Sequence, residues 1–289
     1  MSTYIGNNEI SGIYVGNSEI TSIYVGTDLV YSGGTTPPTP TGDTTNYLCF
    51  TAQQDNSTVA LSKNGTNTPT ITLEYSLDKV NWNTWDRSAF TLNSGNTMYL
   101  RGDNANFSNY TNRYYQFVMS GKIAASGSIM TLLDKTDTLR TVKNYMFFKL
   151  FQNCTSLTTA PELPATTLGD YCYRYLFNGC TNLTTAPSIL PATTLTTFCY
   201  SDMFVGCTSL TTVPELPATT LTTYCYNRLF FECNSLNYIK IYATDISASG
   251  CLAYWTQHVA NSGTFYNYGG ATYPSGFSGI PDGWTEVTQ

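Results

Sequence analysis

Apolar residues return at fixed intervals through the middle of the chain. Leu157, Leu183, Leu210 and Leu236 stand in one phase and Leu168, Leu195 and Leu221 in another, inside a phrase repeated almost verbatim. It reads CTSLTTAPELPATTLGDYCYRYLFNG from Cys154, CTNLTTAPSILPATTLTTFCYSDMFVG from Cys180 and CTSLTTVPELPATTLTTYCYNRLFFE from Cys207. The spacings between Cys154, Cys180, Cys207 and Cys233 are 26, 27 and 26 residues. A unit of that length cannot bury a core alone and gains stability by stacking on its neighbours, so the pattern predicts a solenoid. Near-identical rungs offer a long uniform surface with no obvious cleft, which favours binding or structure over chemistry.

Within one copy, SLTTAP (Ser156 to Pro161) has the β-branched character of a short strand with Leu157 inward. Pro161 and Pro164 end strand pairing, because proline supplies no donor and restricts the residue before it. Asp170 is placed to cap a helical turn through Tyr171 to Phe177, where Cys172 and Leu176 share a face four residues apart. Gly179 and Gly206 close that turn in the first two copies. The predicted rung is strand, proline turn, short helix and return. Ser156, Asn182 and Ser209 then stack in one column, Thr158, Thr184 and Thr211 in another, and Tyr173, Tyr200 and Tyr226 in an aromatic third. These are the candidate binding residues, although such ladders also serve to cement neighbouring rungs.

A second repeat opens the chain: TYIGNNEISG, IYVGNSEITS and IYVGTDLVYS. Tyr4, Tyr14 and Tyr24 are ten apart, with Gly6, Gly16 and Gly26 behind them and Ile10, Ile20 and Leu29 near the ends, so each unit reads as a short strand and a tight turn. About 30 residues enclose too little apolar surface for a lone domain. Residues 1–31 are therefore expected to be an anchor or trimerisation segment, with Tyr4, Ile10, Tyr14, Ile20, Tyr24 and Leu29 meeting neighbouring polypeptides. A small meander packed on the rest of the chain is the other reading. Residues 32–46, SGGTTPPTPTGDTTN, form an extended Pro/Thr/Gly linker that argues against the meander.

Residues 47–133 alternate short apolar runs with turn chemistry such as KNGT at Lys63 and NSGN at Asn93, the pattern of a β-sandwich. Residues 134–252 hold the solenoid, and 253–289 a C-terminal cap that covers its core with Trp255, Phe265 and Trp284. TVKNYMFFKLFQNC reads as a degenerate capping rung, with Met146 where Cys172 belongs. The expected fold is multidomain and mainly β.

Charged residues make up 11% of the 289 and the net charge is −6, so the chain lacks a basic footprint for nucleic acid or anionic lipid. No apolar run reaches the length of a membrane helix, and MSTYIGNNEI lacks the regions of a signal peptide, so neither membrane insertion nor self-directed secretion is expected. Eight of the nine cysteines form two ladders, Cys154, Cys180, Cys207 and Cys233, and Cys172, Cys199, Cys225 and Cys251, with no CxxC. They are read first as buried reduced thiols, with cross-rung disulfides or metal as alternatives. The single histidine, His258, lies in the cap without a phased Ser, Cys or Asp partner. Glu162 and Glu215 recur by repetition while the middle copy has Ser188. No catalytic, metal or cofactor site is expected. Trp82 and Trp85 are candidates for a sugar platform but read first as packing residues, and the RGD at Arg101 reads as turn geometry.

From Val142 to Tyr242 the phrase of Cys, two residues, Leu, a proline turn and an aromatic before the next Cys resembles the BspA-like leucine-rich repeats. The IYVG phrases are similar to those that open gut bacteriophage structural proteins, and LEYSLDKVNWNTWDRSAFTLNSGNTMYLRGDN resembles small Ig-like modules of bacterial surface and phage proteins. Together the resemblances imply a short N-terminal β-repeat stub, an Ig-like β-sandwich and a leucine-rich-repeat solenoid with a strand and a short helix per rung. They imply a homotrimeric phage head or tail fibre, assembled in the host cytoplasm and exposed on the virion. Its partners would be a capsid or tail protein through residues 1–31 and a bacterial surface glycan or protein receptor. A bacterial cell-surface adhesin is the main alternative and a polysaccharide depolymerase tailspike the second.

Overall fold

A computed structural model describes residues 3–5, 8–10, 13–15, 18–20, 22–25, 28–32 and 43–288. The chain divides into two compact units, Met1–Thr44 and Thr45–Gln289. In the first, strands β1 (Thr3–Ile5), β2 (Asn8–Ile10), β3 (Ile13–Val15), β4 (Ser18–Ile20), β5 (Ser22–Val25) and β6 (Asp28–Ser32) pair as successive antiparallel hairpins. Each ten-residue unit is thus two strands rather than one. Register repeats with the sequence: Tyr4 lies opposite Glu9 and Tyr14 opposite Glu19, whereas Tyr24 faces Leu29 across a register shift. Gly6, Gly16, Gly26 and linker residues 33–42 lie outside the described residues.

The second unit begins with β7 (Leu48–Ala52), β8 (Ser57–Asn64), β9 (Leu73–Ser76), β10 (Asn83–Trp85), β11 (Phe90–Leu92), β12 (Thr97–Arg101), β13 (Tyr114–Ser120) and β14 (Ile123–Ser126). Further along come β15 (Leu157–Thr159), β16 (Tyr238–Ile241), β17 (Gly263–Asn267) and β18 (Trp284–Thr288). One sheet has the order β10-β9-β12-β7-β14-β15 and a second the order β11-β8-β13. Alternation dictates what faces inward: Leu48, Phe50 and Ala52 of β7 are buried, as are Val59 and Leu61 of β8. The sheets meet where the Phe50 and Phe117 rings lie 5.0 Å apart. The boundary expected at 133/134 is not a break between units. β15, from the repeat, pairs in parallel with β14, and the Phe151 ring stacks on Phe117 at 4.9 Å, so both regions share one sheet and one core.

The short helix expected in each copy does not form. The helical segment among the described residues is the 3-10 turn Ile129–Leu132, whose N–H at Met130 is capped by Ser128 Oγ. Between Tyr171 and Cys180 the amides instead alternate. Those of Tyr171, Tyr173, Tyr175, Phe177 and Gly179 donate to carbonyls of the next copy, while those of Arg174, Leu176, Asn178 and Cys180 close i-to-i−3 turns. Every fourth residue takes positive φ: Tyr171 (58°), Tyr175 (59°) and Gly179 (76°), then Phe198, Asp202 and Gly206, then Tyr224, Arg228 and Glu232. A left-handed residue breaks the i-to-i−4 ladder that a helix needs, and it turns alternate N–H groups outward toward a neighbouring copy. Helical spacing and this four-residue turn both place Cys172 and Leu176 inside, which is why the sequence reads as helix.

The strand expected over Ser156 to Pro161 forms as β15 in the first copy. The next two contribute single parallel bridges, Thr159 to Thr185 and Thr185 to Thr212, because Pro161, Pro187 and Pro214 remove the donors that would extend them. The expected leucine columns are buried, and Phe151, Phe177, Phe204 and Phe230 stack beside them at 5.4, 5.5 and 5.8 Å. All nine cysteines are buried and free. Each thiol of the first ladder donates to a phenylalanine carbonyl, Cys154 to Phe117 at 3.2 Å, Cys180 to Phe151 at 3.0 Å, Cys207 to Phe177 at 3.2 Å and Cys233 to Phe204 at 3.1 Å. At the far end β16, β17 and β18 continue the stack as a parallel sheet, with Trp255, Phe265 and Trp284 buried across the core.

Candidate functional site

The aromatic column expected on the surface lies inside. Tyr173, Tyr200 and Tyr226 are 0% exposed, their rings stacked at 5.7 and 6.0 Å, and their hydroxyls have no protein partner. Residues so enclosed are core and cannot touch a receptor. Burial holds their phenols well above the ordinary value, so they stay protonated.

A half-buried ladder runs two residues earlier: Tyr145, Tyr171, Phe198 and Tyr224, with successive rings 4.8, 4.9 and 4.7 Å apart and nearly parallel. The Arg174 guanidinium lies 4.9 Å from the Phe198 ring. The signal was present as the aromatic directly before each cysteine of YCY and FCY. Reading the segment as a helix misassigned it, since only the four-residue turn points positions 172 and 173 inward and 171 outward. With their faces taken by each other, these rings present edges, which is poor geometry for stacking a sugar.

The predicted hydroxyl columns do come together, and against a wall the sequence did not foretell. A groove of about 570 Å³ has Ser156, Thr158, Asn182 and Thr184 on the repeat side and Gln53, Gln54 and Lys122 on the other. Parallel pairing of β14 with β15 creates it, since β14 begins one residue after Lys122 and β7 ends one residue before Gln53. Thr158 is buried and its Oγ1 lies 3.0 Å from Gln53 Oε1 and 3.1 Å from Ile123 O. Thr184 is exposed and donates to Thr158 O at 3.0 Å; Thr211, also exposed but farther along, donates to Thr184 O at 3.2 Å. The hydroxyls therefore do cement neighbouring copies, yet each oxygen of the exposed pair keeps lone pairs for an outside donor.

Two more hollows follow on the same strand-side face. One of about 320 Å³ includes Thr185, Thr212, Tyr238 and Lys240, and one of about 580 Å³ shares Tyr238 and Lys240 and adds Thr264 and Tyr266. Thr185, Thr212, Tyr238 and Thr264 lie on successive copies, so the hollows form a line. A smaller apolar hollow of about 210 Å³ lies between Leu163, Pro164, Pro187, Ile189 and Pro191.

The other candidates are dispersed. Trp85 is 3% exposed, and Trp82 is sandwiched between Tyr47 at 4.7 Å and the Arg101 guanidinium at 3.9 Å, so the pair forms no platform. Arg101 also pairs with Glu74 at 2.7 Å, which engages the RGD guanidinium within the chain. Lys135, at 2.8 Å, joins them, and its hydrogen bond is the main reason the Glu74 carboxyl sits below the usual range. Glu162 accepts from Asn46 at 2.9 Å and Glu215 pairs with Lys240 at 3.3 Å. His258 is exposed beside Phe231. Among the described residues no three His, Cys, Asp or Glu side chains gather as a metal site, and no helix is long and apolar enough to cross a membrane.

The chain is mainly β, with several sheets and almost no helix. No family model, no curated protein and no solved structure matches it.

Proposed function

We propose that this protein is a bacteriophage virion structural protein, a non-enzymatic head or tail fibre that anchors through residues 1–31 and displays a leucine-rich-repeat solenoid to a bacterial surface glycan. The observation that carries the reading is the line of hollows along one face of the stacked copies, the first of them polar and lined by Thr158, Thr184, Gln53 and Lys122. Hydroxyl and amide groups repeated at a regular interval suit a polymer of sugars, because each copy offers the next residue of the ligand the same acceptors. The three hairpins of the anchor favour an assembly with other polypeptides, since a two-stranded ribbon is marginal in water. Free buried thiols suit assembly in a reducing cytoplasm before release.

The test is a glycan array and a whole-cell binding assay with the full chain. Binding that falls when Thr184 and Asn182 are both replaced by alanine supports the reading. Absence of binding to any bacterial surface preparation, or release of sugar from it, overturns it. Mass measurement of the full chain and of a chain lacking residues 1–31 tests the anchor: a trimer that depends on those residues is expected, and a monomer in both cases counts against trimerisation.

A further inference from the structure

Resting on that reading, we infer that the first groove selects an acidic sugar, one bearing a carboxylate, held with its carboxylate at Lys122 and its hydroxyls over the threonine wall. The two walls differ in hydrogen-bond polarity. On the repeat side, Thr184 Oγ1 spends its proton on Thr158 O and Asn182 Nδ2 spends one of its two on Thr155 O, leaving outward-facing oxygens that accept from sugar hydroxyls. On the opposite side stand Lys122 and Gln54, both exposed, whose ammonium and amide N–H groups donate.

Charge points the same way. Acidic residues outnumber basic ones, 19 to 13, yet no carboxylate lines this groove and Lys122 forms no ion pair among the described residues. Lys240, in the neighbouring hollow, is by contrast neutralised by Glu215. One unneutralised cation, with an amide beside it and acceptors across from it, matches one negative charge on a ligand otherwise rich in hydroxyls. A neutral sugar offers the ammonium only a hydroxyl oxygen, whereas a carboxylate adds the attraction of an opposite charge to the hydrogen bond.

Isothermal titration of the full chain with a uronic-acid oligosaccharide and with its carboxyl-reduced counterpart tests this. Expected is binding about two- to fivefold tighter for the uronate, as an exposed ion pair supplies, a preference that shrinks as salt rises. Lys122→Gln should make the two ligands equal, and Lys122→Arg should keep the preference; Lys122 is exposed, so neither substitution threatens folding. Equal binding of the two by the unaltered chain overturns the acidic-sugar inference while leaving glycan binding intact. A preference that survives Lys122→Gln overturns the assignment to that residue. Failure of both ligands, together with a blank glycan array, removes the glycan reading and this inference with it.

Discussion

Arg174 Nε lies 3.1 Å from Asp202 Oδ2, an ion pair that ties one copy of the repeat to the next. Arg228 Nη1, from the copy beyond, approaches Oδ1 of the same carboxylate at 3.5 Å, and Ser201 Oγ donates to Oδ2 at 2.8 Å. The Asp202 side chain is 2% exposed, so its desolvation is offset by two cations and a hydroxyl. Asp202→Ala should lower stability by about 3 kcal/mol, read as a shift of the urea midpoint. Asp202→Asn should lose less, since asparagine tolerates the positive φ of 58° and retains hydrogen bonding.

Gly179 and Gly206 hold equivalent positions, with φ of 76° and 72°, but their surroundings differ. A Cβ on Gly179 would stand 2.3 Å from Asn153 Oδ1, whereas the nearest atom to one on Gly206 is 3.9 Å away. Both alanine variants lose about 1–2 kcal/mol to the left-handed backbone. Gly179→Ala should lose more, and a thermal melt that ranks Gly206→Ala as the worse of the two would contradict this packing.

The thiols should be inert in the folded chain. Burial pushes Cys154 up to about 12 from an ordinary 9.0, and raises Cys180, Cys207 and Cys233 in the same direction. At neutral pH a thiol-reactive disulfide reagent should therefore react slowly, beginning with Cys49, the most exposed at 8%, and should titrate all nine cysteines once the chain is denatured. Since the unfolded chain gives up the Cys154 proton near 9.0 and the folded chain near 12, this group's contribution to stability is complete below pH 9.0 and is lost as pH climbs toward 12. A folded-state stability that stays flat across that window would refute the claim.

Tyr200 supplies a ring to the core and a hydroxyl that finds no protein partner. Tyr200→Phe should leave stability within about 0.5 kcal/mol or raise it, while Tyr200→Ala should cost about 3–5 kcal/mol by opening a cavity. Chemical denaturation of the two variants beside the parent chain separates ring from hydroxyl. A loss of more than 1 kcal/mol in the phenylalanine variant, on the scale of one hydrogen bond, would mean the hydroxyl is bonded.

Much of the inside of this protein was legible without coordinates. Leu157, Leu183, Leu210 and Leu236 recur at one phase, and any stack of those copies superimposes them. The same holds for the cysteine ladders and for the cap residues Trp255, Phe265 and Trp284. Tyr173 was misjudged because two backbone paths agree on Cys172 and Leu176 and differ at their neighbours. Helical geometry sends position 173 away from 172, and the left-handed residue at 171 sends both inward.

The amino-acid order by itself determined the copy number, the register between copies and which leucines and cysteines meet, because a period is a distance along the chain and stacking maps it directly onto a distance in space. Only the tertiary structure decided which aromatic faces outward and where the polar groove forms. The first depends on the sign of φ at every fourth residue, which Tyr171 and Phe198 adopt against their own preference because hydrogen bonds to the adjacent copies outweigh the strain. The second depends on Gln53 meeting Thr158 across 105 residues, a proximity set by the pairing of β14 with β15 and written in no local pattern.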